Sequence, residues 1–443
     1  MIRGMTREIG VCEKLISTPY VLLLLVFLFA TFSFSSPLAA AEETEEADAK
    51  KQVTAIVGGT VIPVGGPMVR RGTVIFRGEK IEAVGVELEV PEGALVVEAE
   101  GKYVTPGFVA VEASKIGVAN TDGNIADSLD PYDLSLRVAL ASGITTAQLI
   151  DVRFSGFFGH QTSLLSGAKT AIVKLTHGDL SSMLVREPGL NYFAVPTRQV
   201  ELNLFRMREG FRKAAEYLKT VKEAESKKAK RPVMSPAIAR YVTILENKQP
   251  TVVAARTPEQ VRDILDINSR YPFDLVLSRP DEGYPLAREM ATRGIPVFLK
   301  ARGKDFDFNM TRPVLDREGL IPIRLPAAFA GLGVNVTLLP YRRGVTLNGI
   351  AGRDLTALPL EAGFAVRGGL DEARAIEGIT LNPARVLRIA DWVGSLEKGK
   401  DADILILSRH PLHYRSFVEK AYINGKLYYE REKSPLFRDI PLR

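Results

Sequence analysis

The stretch TPGFVAVEASKIG, residues 105–117, is where the reading of the fold turns. A Thr-Pro-Gly turn opens onto Phe-Val-Ala-Val, an unbroken apolar run of the length expected for a strand buried on both faces. Glu112, Ala113 and Ser114 stand where that strand ends. The texture of the chain changes on either side of it. Upstream, TAIVGGTVIPVGG, GTVIFRGEKIEAVG and ALVVEAEGKYV are short strands punctuated by Gly and Pro, a small sheet domain. Downstream, strand and helix patterns alternate. YDLSLRVALASG leads into ITTAQLI, and TVVAA is followed by TPEQVRDILDINSRY. In that helix Thr257 is the N-cap, Pro258 the first helical position and Gln260 the partner in a capping box. FDLVLS, DEGYPLAREMATRG (closed by Gly294), IPVFLK, AGLGVNVTLL, LDEARAIEGIT and NPARVLRI continue the alternation.

Repeated βα units predict parallel strands with right-handed crossovers, and about 250 residues of them fit a TIM barrel. A doubly wound sheet is the competing topology, but no glycine-rich phosphate loop follows a first strand. The C-terminal segments ADILILS and AYINGKLYYER return to strand texture, with Asn424-Gly425 marking a hairpin. The expected architecture is therefore α/β: a (β/α)8 TIM-like barrel plus a composite β-sandwich built from both ends of the mature chain. The layout is a signal peptide at 1–41, an acidic linker at 42–51, sandwich parts at 52–104 and 389–443, and the barrel at 105–388.

The N-terminal assignment rests on a weakly basic start (Arg3, Arg7, Lys14), the apolar run Tyr20–Phe34 and the small residues SSPLAAA, with cleavage near Ala41. The run is shorter than the roughly 20 residues that span a bilayer. Export to the periplasm or beyond is expected, with membrane contact only through this segment; its retention as an anchor is the alternative. The one cysteine, Cys12, lies in the part to be removed, so the mature chain has no disulfide, thiolate zinc site or cysteine nucleophile. The formal net charge of +6 is dispersed. Its densest run, Lys219–Arg231, reads as the polar end of a helix; without interleaved aromatic residues it offers no nucleic-acid surface.

GKYVTPGF and TLNPARVLRIADWVGSLEKGKDADILIL resemble the metal-dependent amidohydrolase superfamily, in particular its imidazolonepropionase-like branch. ASGITTAQLI, GHQTSLLSGAKTAIVKL and SSMLVREPGL add to the likeness. The resemblance implies a barrel whose C-terminal mouth holds one or two divalent metals, where a metal-bound hydroxide cleaves C–N bonds in amides or rings. It also implies an H-x-H pair on the first barrel strand, histidines after the fifth and sixth, and an aspartate after the eighth. Here Glu112 and Ser114 stand in place of the pair, and Ala110 in place of an aspartate before it. Ala254 and Arg256 follow the fifth strand, Arg279 the sixth, and Tyr341 (or Pro340, one register away) the eighth. None of these matches. The chain has only four histidines, two of them in the terminal SRHPLHY segment, too few for a zinc site of three or four ligands in the barrel.

Arg256, Arg279 and Arg342 or Arg343 would direct cations into the mouth opposite Glu112. They would either neutralise buried carboxylates or bind a small anionic ligand. His160 and Gln161, in a small-residue loop, are further ligand candidates. His177, after TAIVKL, could join Glu112 and Asp281 or Glu282 around one hard divalent cation. Lys174 is set aside as a metal bridge, a Ser114–His177–Asp281 triad has no nucleophile elbow around it, and Trp392 reads as a packing residue between barrel and sandwich. The function expected is that of an exported, catalytically degenerate amidohydrolase-like protein without a cofactor. It would bind a small ligand, form a homo-oligomer or support an active relative. The alternative is an active C–N hydrolase with an altered or metal-free site.

Overall fold

In the computed structural model, residues 52–118, 124–151, 168–195, 200–302, 322–345, 354–435 and 437–440 are described. The expected signal segment and linker lie outside them, as do His160 and Gln161. No described helix is long and apolar enough to cross a membrane.

Both ends of the described chain enter one sheet. It contains β1 (Val53–Val61), β2 (Val69–Arg77), β3 (Lys80–Val86), β4 (Leu95–Glu98) and β5 (Tyr103–Pro106). From the C-terminal end come β15 (Ile404–Leu407), β16 (Val418–Ile423) and β17 (Lys426–Glu430). The order is β17-β16-β15-β5-β1-β2-β3, with β4 also on β1. The ends join where β15 runs antiparallel to β5, Ile404 opposite Pro106. Strand alternation buries β15 on both faces. Ile404 and Ile406 pack with Ile56, Val74 and Phe76, while Leu405 and Leu407 enter the core of the helices and central strands. Asn424 and Gly425 form the two-residue turn between β16 and β17, with φ of 49° and 72°, the left-handed pair that such a turn requires.

The central strands form two sheets. One is β6 (Phe108–Ala113), β7 (Ile144–Ile150), β8 (Thr170–Lys174) and β9 (Leu184–Arg186); the other is β10 (Asn191–Ala194), β11 (Thr251–Ala254), β12 (Leu275–Ser278), β13 (Val297–Leu299) and β14 (Val336–Leu338). The five strands of the second are all parallel, with helices between them. Helix Pro258–Arg270 carries the capping box at Thr257 and Gln260, and buries Val261, Ile264 and Leu265. The first sheet departs from the uniform βα alternation. β6 and β7 are parallel, but β8 runs antiparallel to β7, Thr146 opposite Lys174. An apolar run such as TAIVK specifies a buried strand without specifying its direction.

Two layers of core flank the central strands. Alternate residues Val109, Val111, Tyr192, Val252, Val276 and Phe298 pack together on one face. The intervening Phe108, Ala110, Val253, Leu277, Val297 and Leu299 meet the helices on the other. By the same alternation Ser278 lies on the face of Val276, and Lys300 on that of Phe298. Trp392 is 46% exposed and does not fill a junction as expected. The junction is polar instead: Lys174, at the end of β8, donates to Asp401 (2.7 Å), Asp403 (3.1 Å) and Asn424.

Candidate functional site

Glu112 sits in an irregularity of β6, where Ala110 pairs with Ala147 but Ala113 with Leu149, so two residues face one. Its φ is 51°. The backbone N–H displaced from the ladder donates to the Gln148 side chain at 2.8 Å, and Gln148 is itself fully buried. This bulge turns the Glu112 carboxylate toward the other sheet. One oxygen accepts from the Ser278 hydroxyl at the end of β12. The other accepts from the Arg343 guanidinium at 2.6 Å. The same Arg343 nitrogen donates to the Tyr192 hydroxyl at 3.0 Å, and the Ser114 N–H donates to the Arg343 carbonyl at 2.9 Å. Glu112 is 2% exposed. Burial works to raise its pKa, but Arg343, Ser278 and Arg279 outweigh it and hold the carboxyl below its usual range. Burial beside Glu112 pushes the Tyr192 phenol up.

Arg279 follows β12 with φ of 55°, its N–H donating to the Phe298 carbonyl. Its charge acts on Glu112, Asp281 and Lys300. Among the described residues nothing accepts a hydrogen bond from its guanidinium. Lys300 follows β13 and donates to the Tyr341 carbonyl at 2.6 Å, with Nζ 5.5 Å from the centre of the Tyr341 ring. No described carboxylate lies within ion-pair distance of it. Burial first, then the charges of Arg279 and Arg343, lower its pKa to about 8 against the pull of Glu112 and Asp281. Burial likewise raises the Asp281 carboxyl. Two residues on, Arg302 pairs with the fully buried Glu361.

The sequence candidates thus divide. Glu112, Ser114, Arg279 and Tyr341 come together at the ends of β6, β12 and β14. Arg256 lies at the rim, paired with Glu282 at 3.0 Å and 46% exposed. Arg342 points to solvent, and its neighbour Arg343 makes the ion pair. His177 is not in this cluster. Because β8 is antiparallel, the residues after it emerge beside the start of β7, where His177 meets the Tyr132 ring and the charges of Arg137 and Asp130. The cation site built from Glu112 and His177, and the Ser114–His177–Asp281 triad, are therefore not formed. Lys300, Ser278 and Tyr192 were not singled out by sequence. Lys300 and Ser278 carried one usable signal: each lies two residues beyond an inward-facing strand position.

With this geometry in place, comparison with known proteins gives a consistent answer. Residues 280–428 match the sequence model of the Amidohydrolase family. That stretch, about a third of the chain, is similar to the Amidohydrolase family. A dihydroorotase from Anaeromyxobacter dehalogenans is 24% identical over 401 residues, covering 80% of this chain and 87% of that protein. Adenine deaminase 2 from Jannaschia sp. is 47% identical over 48 residues, which span 11% of this chain and only 8% of the deaminase. The crystal structure of an amidohydrolase from Thermotoga maritima superposes with a TM-score of 0.69 at 22% identity, covering 85% of this chain and all of that one. That likeness is one of fold.

The resemblance to metal-dependent amidohydrolases implies a divalent metal at these strand ends, and the described donors do not fit one. Glu112 has both oxygens engaged by Arg343 and Ser278. The charges that act on Glu112 are those of Arg343 and Arg279, cations that would repel a metal ion. Among the described residues no group of three or more His, Cys, Asp or Glu side chains could hold one.

Proposed function

We propose that this chain is a non-hydrolytic member of the amidohydrolase superfamily, of the imidazolonepropionase-like branch, that binds a small organic anion at the barrel mouth. The observation that carries the reading is Arg279, a partly buried cation with no described hydrogen-bond acceptor, standing beside a carboxylate already neutralised by Arg343. An Arg–carboxylate pair fixes Glu112 and closes the position from which a metal ligand would act, leaving Arg279 and Lys300 to meet a ligand of opposite charge. The N-terminal segment supports export with cleavage near Ala41, giving a mature chain of a sheet domain from both ends around the barrel.

Two measurements test this. Elemental mass spectrometry of the purified mature protein, expressed with zinc, manganese and nickel available, is expected to find metal well below one ion per chain. Thermal unfolding with a panel of small carboxylates and phosphates should reveal a stabilising ligand whose effect is lost in Arg279→Ala. One tightly held ion per chain, with amide hydrolysis that depends on Glu112, would overturn the reading in favour of an active hydrolase.

A further inference from the structure

Lys300 is placed unusually for a lysine. Its ammonium has no carboxylate partner among the described residues and rests on one neutral backbone carbonyl, that of Tyr341. The charged groups that act on it come from each neighbouring strand end: Arg279 and Asp281 after β12, Arg343 after β14, and Glu112 on β6. Two cations against an already paired Glu112 and a carboxyl that burial biases toward its neutral form favour the free amine. A lysine desolvated beside another cation is the arrangement that makes this side chain a nucleophile near neutral pH. Arg279 stands close enough to influence it and presents a planar fork suited to a carboxylate.

Resting on the anion-binding reading above, we propose that Lys300 captures the carbonyl carbon of a small 2-oxo acid as an imine, with Arg279 holding the acid's carboxylate. The lysine nitrogen lone pair forms the N–C bond while the carbonyl π electrons move to oxygen, which takes up a proton. Loss of that oxygen as water then completes the C=N bond. An ammonium plus a ketone gives an iminium plus water, with no oxidant or reductant needed. The protons exchange with water or with Asp281, whose charge acts on Lys300 and whose carboxyl burial inclines to keep its proton. Because the Lys300 pKa falls to about 8, its free-amine fraction near pH 7.5 is on the order of a hundredfold above that of an ordinary lysine.

The test is reductive trapping on the mature protein. Pyruvate and sodium cyanoborohydride are added near pH 7.5, and the adduct is followed by intact mass and peptide mapping. The expected result is one adduct per chain on the peptide containing Lys300, formed at least about tenfold faster than on any other lysine. It should be slowed in Arg279→Ala and absent in Lys300→Arg. The wild-type peptide map decides the matter even where a variant folds poorly. Lactate, of similar shape and charge but without the carbonyl, separates the two readings. If lactate and pyruvate both raise the unfolding temperature and Lys300 is modified no faster than surface lysines, the imine is overturned and the anion site stands. If neither acid shifts unfolding and Lys300 is not selectively modified, the oxo-acid proposal fails together with binding of this acid class.

Discussion

Removing Arg343 isolates a buried charge. Arg343→Met keeps much of the aliphatic volume but deletes the donor to Glu112 Oε2 and to the Tyr192 hydroxyl. Glu112, 2% exposed, would then keep only the Ser278 hydroxyl and the more distant Arg279. Breaking one side of a buried pair costs about 3–5 kcal/mol. Since Arg279 still opposes part of the charge, the lower end, about 3 kcal/mol, is expected here. The pH dependence identifies the cause. In the wild type the Glu112 pKa is lowered, so its stabilisation is present above the unfolded-state value and is lost as pH falls through the folded value. In the variant burial dominates and the folded pKa rises above the unfolded one. Its penalty is therefore largest near pH 7 and shrinks as acid protonates Glu112. Urea unfolding of wild type, Arg343→Met, Glu112→Gln and the double variant would measure this. The double variant should recover more than about 1 kcal/mol of the sum of the single losses. A loss in Arg343→Met below about 1 kcal/mol near pH 7, or one unchanged near pH 4.5, would refute the reasoning.

Lys300, with its pKa lowered to about 8 from 10.5, binds fewer protons folded than unfolded, so it makes stability rise with pH between about 8 and 10.5; the rise should vanish in Lys300→Met when urea midpoints are compared across that window. Thr257→Ala removes the side-chain acceptor of the capping box and should cost about 1 kcal/mol, whereas Thr257→Ser should be nearly neutral by the same assay. Gly425→Ala would place a Cβ 1.9 Å from the Gly78 carbonyl oxygen at a φ of 72°, and should lower the unfolding free energy by more than about 1–2 kcal/mol. Arg279→Gly should fold with stability within about 0.5 kcal/mol of wild type, since relief of a left-handed φ offsets the added chain entropy; it should nevertheless lose the anion-dependent thermal shift.

The elements that depend on local chemistry were legible in the sequence. The capping box from Thr257 to Gln260 and the Asn424-Gly425 turn are each dictated by a few adjacent residues, and both form. The parallel strands β11 to β14 follow from alternation of apolar runs with capped helices. The direction of β8 does not, because direction depends on where the chain returns to the sheet, and an apolar pentapeptide is the same read either way up. That one reversal carries His177 away from Glu112. The site was legible at strand ends reached by counting along β6 and β12, which gave Glu112 and Arg279. Beyond β14 the chain turns and has no period, so Arg342 and Arg343 could not be told apart, although one is exposed and the other anchors the cluster. Lys300 escaped notice because its chemistry comes from neighbours distant in sequence: Arg279, Glu112 and Arg343.

Backbone strain separates the two halves of this cluster. Glu112 and Arg279 both hold left-handed backbone, φ of 51° and 55°, at facing strand ends. For residues with a Cβ that conformation costs about 1–2 kcal/mol each. At Glu112 the cost is offset by a buried hydrogen bond from its N–H to Gln148 and by a saturated carboxylate. At Arg279 the return is only through space: its charge opposes Glu112 and Asp281 and repels Lys300, and no described group accepts a hydrogen bond from its guanidinium. A residue selected for stability alone would be glycine or asparagine there, which adopt this φ readily. Strain held where the surrounding structure over-determines it is what ligand clamps show. On the proposed anion-binding reading, Glu112 with Arg343 is scaffold, and Arg279 with Lys300 is the pair that would meet the ligand.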